Sequence, residues 1–93
     1  GSQTVTPFLT TQTYNAANIN GLTLSDIALS PDGIQLLLAT SDGSIQARDA
    51  TSGNLIYLYQ GHSAPVNDIE WSLDSRHIAT ASQDTTAQIW QEP

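Results

Sequence analysis

The stretch Asp68-Ile69-Glu70-Trp71-Ser72-Leu73-Asp74-Ser75 repeats the pattern of Asp26-Ile27-Ala28-Leu29-Ser30-Pro31-Asp32-Gly33, which lies 42 positions earlier. The match continues downstream in identical pairs at the same shift, which are Ala39 with Ala81, Asp42 with Asp84, and Gln46 with Gln88. A repeat of this length indicates one supersecondary unit present twice, and a single unit cannot bury its apolar face alone. Two units are fewer than the roughly three that such a stack needs. We therefore expect the function to belong to an assembly.

Composition excludes several classes of function. Nine carboxylates stand against two cations, Arg48 and Arg76, which gives a net charge of −7. Nucleic-acid binding needs a basic stripe, and anionic membranes also attract basic segments, so neither partner is expected. Cysteine is absent, which removes disulfides, thiolate zinc sites and thiol nucleophiles. No apolar stretch approaches the roughly 18 residues of a membrane span. No signal peptide is visible, and the cytoplasm is the favoured compartment.

Short runs of β-forming residues between turn residues predict an all-β fold. The predicted strands of the two repeats cover residues 24–30, 35–40, 44–49 and 54–60, then 66–72, 77–82 and 86–91. The turns have identifiable causes, because aspartate hydrogen-bonds its own backbone and glycine adopts positive φ. Asp-Gly at positions 42–43 is a strong hairpin pattern. The residues expected to form turns are Asp32, Gly33, Asp42, Gly43 and Asp74.

The remaining segments suggest how the repeats are completed. Residues 1–2 resemble a remnant of cloning, and residues 3–14 form a leader that we predict to be a strand broken by Pro7. The first repeat occupies residues 15–61, and the second, residues 62–93, lacks its outer strand. An unpaired edge strand is an aggregation hazard. We therefore expect the leader to complete the last sheet of a neighbouring subunit, so that three or four copies close a ring.

At this point the second repeat resembles a blade of the WD-repeat β-propeller family. Gly61-His62 precedes its first strand, and Asp84-Thr85-Thr86-Ala87-Gln88-Ile89-Trp90 resembles the closing signature, with Gln91 where the family usually has aspartate. The first repeat departs at Arg48-Asp49 and lacks the glycine-histidine pair. The resemblance covers residues 21–91. It implies an all-β chain of two four-stranded propeller blades. Three or four copies of such a chain would then give six or eight blades in the closed homo-oligomeric ring.

The resemblance also implies a buried hydrogen-bond chain inside the second blade. Its members in this sequence are His62, Asp84, Thr80 or Ser82, and Trp90. Asp84 would accept from His62 and fix the ring tautomer, while Trp90 would donate its indole proton. We interpret these residues as structural. In the first blade Arg48 replaces the tryptophan, and it either reaches a carboxylate such as Asp49 or Asp26 or is exposed to solvent.

Catalytic and metal-binding interpretations are disfavoured. His62 and Asp84 invite a hydrolase interpretation, but the blade geometry uses them to brace each other. Asp42 and Asp84 together could hold a hard cation, yet each already forms a turn. No glycine-rich phosphate loop, metal-ligand spacing or nucleophile elbow is present. We therefore expect no enzyme activity, no cofactor and no metal.

The leading hypothesis for function is a scaffold that binds a peptide or protein. Antiparallel order places the loops at residues 60–66 and 41–44 at one end of the sheets, and binding residues concentrate on such loops. The residues expected to contact a partner there are Thr23, Leu24, Ser63, Ala64 and Asn67. A second hypothesis is a multivalent lectin, although Trp71 and Trp90 have no aromatic counterparts in the first repeat. A third is an excised or engineered piece of a longer propeller without activity of its own.

Overall fold

Two antiparallel β-sheets account for the regular structure of the chain. The computed structural model describes Val5, residues 7–15 and residues 17–91. Its strands are β1 (Leu24–Leu29), β2 (Gln35–Thr40), β3 (Ser44–Asp49), β4 (Leu55–Gln60), β5 (Val66–Trp71), β6 (His77–Ser82) and β7 (Ala87–Gln91). The first sheet has the order β1-β2-β3-β4 and the second the order β5-β6-β7. The all-β prediction is thus confirmed, whereas ring closure and strand exchange stay predictions.

The strand boundaries follow the turn chemistry closely. β2, β3 and β6 have the predicted bounds, and each of the other four strands is one residue shorter than predicted. The first and fifth strands were expected to include Ser30 and Ser72. Both serines instead belong to the turns, because their hydroxyls bond to Asp32 and Asp74 and accept the backbone N–H groups of Gln35 and His77. A serine that bonds locally in this way competes with the strand ladder.

The two sheets share the same break in strand register near the start of their first strands. The pairing of β1 with β2 shifts register between Leu24 and Asp26, and the pairing of β5 with β6 shifts between Val66 and Asp68. A β-bulge bends the strand and re-aims the side chain that follows it. The two aspartates therefore occupy equivalent positions near the start of the first strand of each sheet.

The apolar core lies between the two sheets. The first sheet contributes buried side chains from β2, β3 and β4, and the second from β5 and β6. The buried members of this core are Leu37, Ala39, Ile45, Ala47, Tyr59, Val66, Ile69 and Ile78. Tyr59 packs edge-on against Trp90 with ring centroids 5.3 Å apart, so an aromatic contact joins β4 of the first sheet to β7 of the second.

The leader is irregular where the structure describes it. Val5 and residues 7–15 form no strand and pair with neither sheet, so the expected strand is not formed within the chain itself. Pairing of the leader with a neighbouring subunit stays a prediction. The proposed cloning remnant at residues 1–2 and the end of the second repeat at residues 92–93 lie outside the described residues. The turn at residues 17–21, which follows the leader, buries the side chain of Ile19, which is 1% exposed.

Candidate functional site

A hydrogen-bond network brings the loop after β4 together with β6, β7 and the turn between them. His62 Nδ1 lies 2.9 Å from Asp84 Oδ2, and His62 Nε2 lies 2.7 Å from Thr80 Oγ1. Trp90 Nε1 donates to the same Thr80 oxygen at 3.0 Å. The imidazole is fully buried. The structure thus places four of the predicted network residues in mutual contact.

The direction of each proton in the network follows from its two ends. The carboxylate of Asp84 only accepts, so Nδ1 of His62 carries the proton donated to it. Nε2 of His62 is then an acceptor, and the hydroxyl of Thr80 donates to it. The indole of Trp90 only donates, and Thr80 Oγ1 accepts from it. Both ring nitrogens are therefore occupied, which leaves His62 no free lone pair with which to act as a general base.

Asp84 is held ionised by its neighbours. The Thr86 hydroxyl donates to Oδ1 at 2.6 Å, and the backbone N–H of Ser63 donates to Oδ2 at 3.1 Å. The bond from Thr86, followed by that from His62, holds the pKa of the Asp84 carboxyl well below its ordinary value. Asp84 thereby ties the loop after β4 to the turn between β6 and β7.

Ser82 does not bridge histidine and tryptophan, which corrects one of the two alternatives that the sequence left open; it contacts the network only by accepting from the backbone N–H of Asp84 at 3.1 Å. Its hydroxyl lies 2.9 Å from the carbonyl oxygen of Ala64 and 3.0 Å from that of Pro65. Thr80 and Ser82 lie two positions apart and share a face of β6, but Ser82 stands at the strand end, beside the loop backbone. Ser82 therefore pins the loop, and Thr80 alone bridges histidine and tryptophan.

Arg48 of the first sheet also differs from the expectation. It contacts neither Asp26 nor Asp49 and is not free in solvent. Its guanidinium donates to Gln46 Oε1 at 2.7 Å and to the carbonyl oxygens of Asn18 and Gly53 at 3.0 and 3.1 Å. It also lies 5.4 Å from the ring centroid of Tyr14, within cation–π range. The arginine thus ties the leader to the first sheet.

The predicted turn residues form their local bonds. Oδ1 of Asp42 accepts from the backbone N–H of Ser44 at 3.0 Å and is within bonding distance of the Ser44 and Thr40 hydroxyls. The Ser44 hydroxyl is the main cause that lowers the pKa of the Asp42 carboxyl. Gly43 has φ +90°, and a Cβ there would collide with the backbone carbonyl of His62. This glycine therefore lets the β2–β3 turn approach the loop after β4.

Four of the five residues expected to bind a partner lie at or beside this approach. Ser63 and Ala64 belong to the loop after β4, Asn67 accepts from the Gln83 side chain at 3.2 Å, and the Thr23 N–H donates to Ser41 at 3.1 Å. Leu24 departs from the group. It instead lines a cleft with leader residues 11–14 on the outer side of the first sheet.

A polar cleft opens where the β2–β3 turn meets the loop after β4. Its volume is about 340 Å³, and its lining consists of Asp42, Ser44, Gln60, Gly61, His62 and Ser63. The cleft thus lies beside two of the expected partner-binding residues, Ser63 and Ala64. Within the described ranges no group of three or more histidine, aspartate or glutamate side chains is arranged to hold a metal ion. Those ranges also include no helix that is long and apolar enough to cross a membrane.

Three hydrogen bonds between the sheets were not predicted from the sequence. The backbone N–H of Ile69 donates to Asp26 Oδ2 at 2.8 Å, Trp71 Nε1 donates to the carbonyl oxygen of Ala28 at 3.2 Å, and the N–H of Asp32 donates to Ser75 Oγ at 3.3 Å. The identity of Asp26 and Asp68 across the repeat is the signal that could have indicated the first bond.

Comparisons with known proteins agree with this architecture. The family described as "WD domain, G-beta repeat" matches residues 53–91. WD repeat-containing protein 90 from Homo sapiens is 37% identical over 67 residues, which cover 72% of this chain and 4% of that protein. WD repeat-containing protein 1 from Bos taurus is 34% identical over 74 residues, which cover 76% of this chain and 12% of that protein.

A solved structure shows the same fold. The β-propeller domain of Cps50 (Swd1) from Myceliophteria thermophila superposes with a TM-score of 0.71 at 20% identity, covering 73% of this chain and 21% of that chain. The present chain thus spans a small part of the length of the proteins it matches. Its repeated sheets, the closing signature of its second repeat and these similarities together place the chain in the WD-repeat β-propeller family.

Proposed function

We propose that the chain is part of a non-catalytic interaction scaffold that binds a peptide or protein at the end of the sheets formed by the β2–β3 turn and the loop after β4. WD-repeat propeller proteins are generally non-catalytic interaction scaffolds. The observation that carries the proposal is the division of polar groups at this end. His62, Asp84, Thr80 and Trp90 use their polar atoms on one another, whereas the neighbouring Ser63 and Asn67 side chains are exposed.

The surface offered to the partner is polar and fixed. The loop after β4 is held at Ser63 by Asp84 and at Ala64 by Ser82, so binding needs little ordering of this loop. With a net charge of −7, the protein attracts basic partners and repels acidic ones. A basic peptide is therefore the class of ligand that this end favours.

The lectin hypothesis receives less support. Trp71 and Trp90 are half-buried, and both indole N–H groups are already engaged by Ala28 and Thr80. A sugar platform needs an exposed ring face at equivalent positions of each repeat, and Leu29 and Arg48 stand at those positions in the first sheet. Neither tryptophan is free to act as a repeated platform.

The homo-oligomeric ring predicted from the sequence is an alternative way to complete the propeller, and it is tested separately from the binding surface. Three or four copies would give masses of about three or four times the 9.9 kDa of one chain. Light scattering after size-exclusion chromatography measures this mass directly. A single-chain mass at all concentrations would exclude the homo-oligomeric ring without affecting the proposed binding surface.

The binding surface is tested by selection from a random peptide library against the full chain. We expect selected peptides to carry lysine or arginine and to lose at least tenfold in affinity for Ser63→Lys, which places a like charge at the surface, or for Asn67→Ala. Thr51→Lys is the control, since it adds the same charge in the exposed loop between β3 and β4 at the opposite end. Failure to select any peptide, or equal losses for Ser63→Lys and Thr51→Lys, would refute the assignment.

A further inference from the structure

The two sheets are sequence repeats, so the contacts between them predict what would pack on the opposite face of the second sheet, which the described residues leave uncovered. We use the interface between the first and second sheets as the template for that prediction. We call the side of a sheet that faces the next repeat its trailing face, and the opposite side its leading face. The trailing face of the first sheet presents Asp26 and the carbonyl oxygen of Ala28. From the second sheet, the backbone N–H of Ile69 donates to Asp26, and the indole N–H of Trp71 donates to the Ala28 carbonyl oxygen. Ser75 adds a third bond, to the N–H of Asp32.

The trailing face of the second sheet lacks a comparable covering within the described chain. Four positions on the trailing face of the first sheet, Leu37, Ala39, Ile45 and Ala47, are buried, none more than 1% exposed. Their repeat equivalents 42 positions later, Ala79, Ala81, Ala87 and Ile89, are all exposed. The equivalents of the hydrogen-bonding groups are Asp68, the Glu70 carbonyl and the Asp74 N–H, and all three residues are exposed. The surface thus repeats the template in its polar groups and in its apolar positions.

A second copy of this chain matches that surface poorly. In a second copy the leading face of the first sheet would present the N–H of Ile27, the equivalent of Ile69, to Asp68. The equivalent of Trp71 is Leu29, which has no donor, and the equivalent of Ser75 is Gly33, which has no hydroxyl. Two of the three template bonds would therefore be lost.

The apolar positions disagree with a second copy as well. Ala79 and Ala87 stand where the first sheet has Leu37 and Ile45, so the trailing face of the second sheet is shallower at these two positions, although Ile89 is larger than its equivalent, Ala47. Leu29 is also smaller than the tryptophan at the equivalent position of the existing interface. Small side chains on both sides of the two shallow positions leave a gap there, and a gap loses dispersion contacts. A large ring from the partner would fill it.

We propose that the trailing face of the second sheet docks a further WD-type sheet carrying an indole at the position of Trp71 and a hydroxyl at the position of Ser75, and that a second copy of this chain is the wrong occupant. This proposal shares one requirement with the proposed scaffold function, namely that further sheets complete the propeller. It does not depend on peptide binding. Asp68, the Glu70 carbonyl and the Asp74 N–H are the groups that select the partner. The chemistry of the partner follows from continuity with the interface that the chain already contains.

The test gives a second copy the two groups that it lacks. The variant Leu29→Trp/Gly33→Ser presents the indole and the hydroxyl on the leading face of the first sheet. Gly33 has φ +75° with no atom near a Cβ, and Ser75 itself adopts φ 60° at the equivalent position, so serine is tolerated there. Self-association is measured by sedimentation velocity over a concentration series, with no peptide present. Failure of peptide binding therefore does not affect the result.

We expect the double variant to associate at least tenfold more tightly than the unaltered chain. Adding Asp68→Ala to the double variant should reverse most of that gain, because it removes the acceptor for the partner's backbone N–H. Equal association of the unaltered chain and the double variant would overturn the proposal. So would a gain that Asp68→Ala leaves intact, since it would mark non-specific contact by the indole. If the double variant does not fold, Leu29→Trp alone carries the same comparison, because Leu29 is 58% exposed.

Discussion

Replacing Thr80 by valine should destabilise the second sheet far more than its size change suggests. Valine keeps the shape of threonine but has no hydroxyl, so it removes the bridge between His62 Nε2 and the indole of Trp90. Thr80 is 3% exposed, and water cannot readily replace the lost bonds. An unsatisfied buried donor or acceptor costs about 1–3 kcal/mol, so two of them cost about 2–6 kcal/mol in the free energy of unfolding.

That loss is large on the scale of a small domain, whose total stability is about 5–15 kcal/mol. Urea unfolding followed by far-UV circular dichroism measures it. Thr51→Val is the matched control, because Thr51 is exposed and should change stability by less than about 0.5 kcal/mol. Thr80→Ser should recover most of the loss, since it restores the hydroxyl and removes only one methyl group, worth about 0.8 kcal/mol.

A double-mutant cycle separates the network from simple packing. In the Thr80→Val background, Trp90→Phe removes the indole donor, so one of the two unsatisfied groups disappears. The two substitutions should therefore be less than additive by about 1 kcal/mol or more. Additive effects, or a Thr80→Val loss no larger than that of Thr51→Val, would refute the assignment of Thr80 as the bridge.

Three further predictions are all measured as urea midpoints. Gly43→Ala and Gly33→Ala both place alanine at positive φ, at a cost of about 1–2 kcal/mol. Only Gly43→Ala should lose at least about 1 kcal/mol more, because its Cβ meets the His62 carbonyl. Asp26→Ala should cost about 1–3 kcal/mol by leaving the N–H of Ile69 unpaired, whereas Asp68→Ala in the unassociated chain should be near neutral. Because the pKa of Asp84 is lowered in the folded state, its stabilising effect is present above pH about 4 and is lost as pH falls further. Asp84→Asn should therefore be less stable than the unaltered chain at neutral pH, and the difference should shrink on acidification.

The strand pattern was predictable from the sequence where turn residues bound both ends of a strand. β2 and β3 flank Asp42-Gly43, whose hairpin chemistry fixes the ends that meet there. Ser30 and Ser72 were assigned one position too far into the strands. Serine fits a strand by pattern alone, and only the aspartate two residues later, which accepts from its hydroxyl, decides against it.

Some contacts of the candidate site were also predictable from the sequence, and others were not. The contact of His62 with Asp84 was predicted from the resemblance to a WD-repeat blade, and the structure contains it. The partners of Arg48 could not be predicted, since Asn18 and Tyr14 belong to an irregular segment without periodicity. The bond from Trp71 to Ala28 depends on how the sheets pack, which no local pattern encodes.

The substitution of Arg48 for tryptophan also makes the two open sides of the chain unequal. Arg48 holds Tyr14 and Asn18, and leader residues 11–14 line a cleft of about 640 Å³ with Ile27, Leu29, Leu36 and Leu38 on the leading face of the first sheet. A sheet arriving there must fit around or displace the leader. The trailing face of the second sheet has no such obstacle among the described residues. Arg48, which stands where the second sheet has Trp90, therefore holds the leader partly over the leading face of the first sheet. We expect a further sheet to pack first on the trailing face of the second sheet.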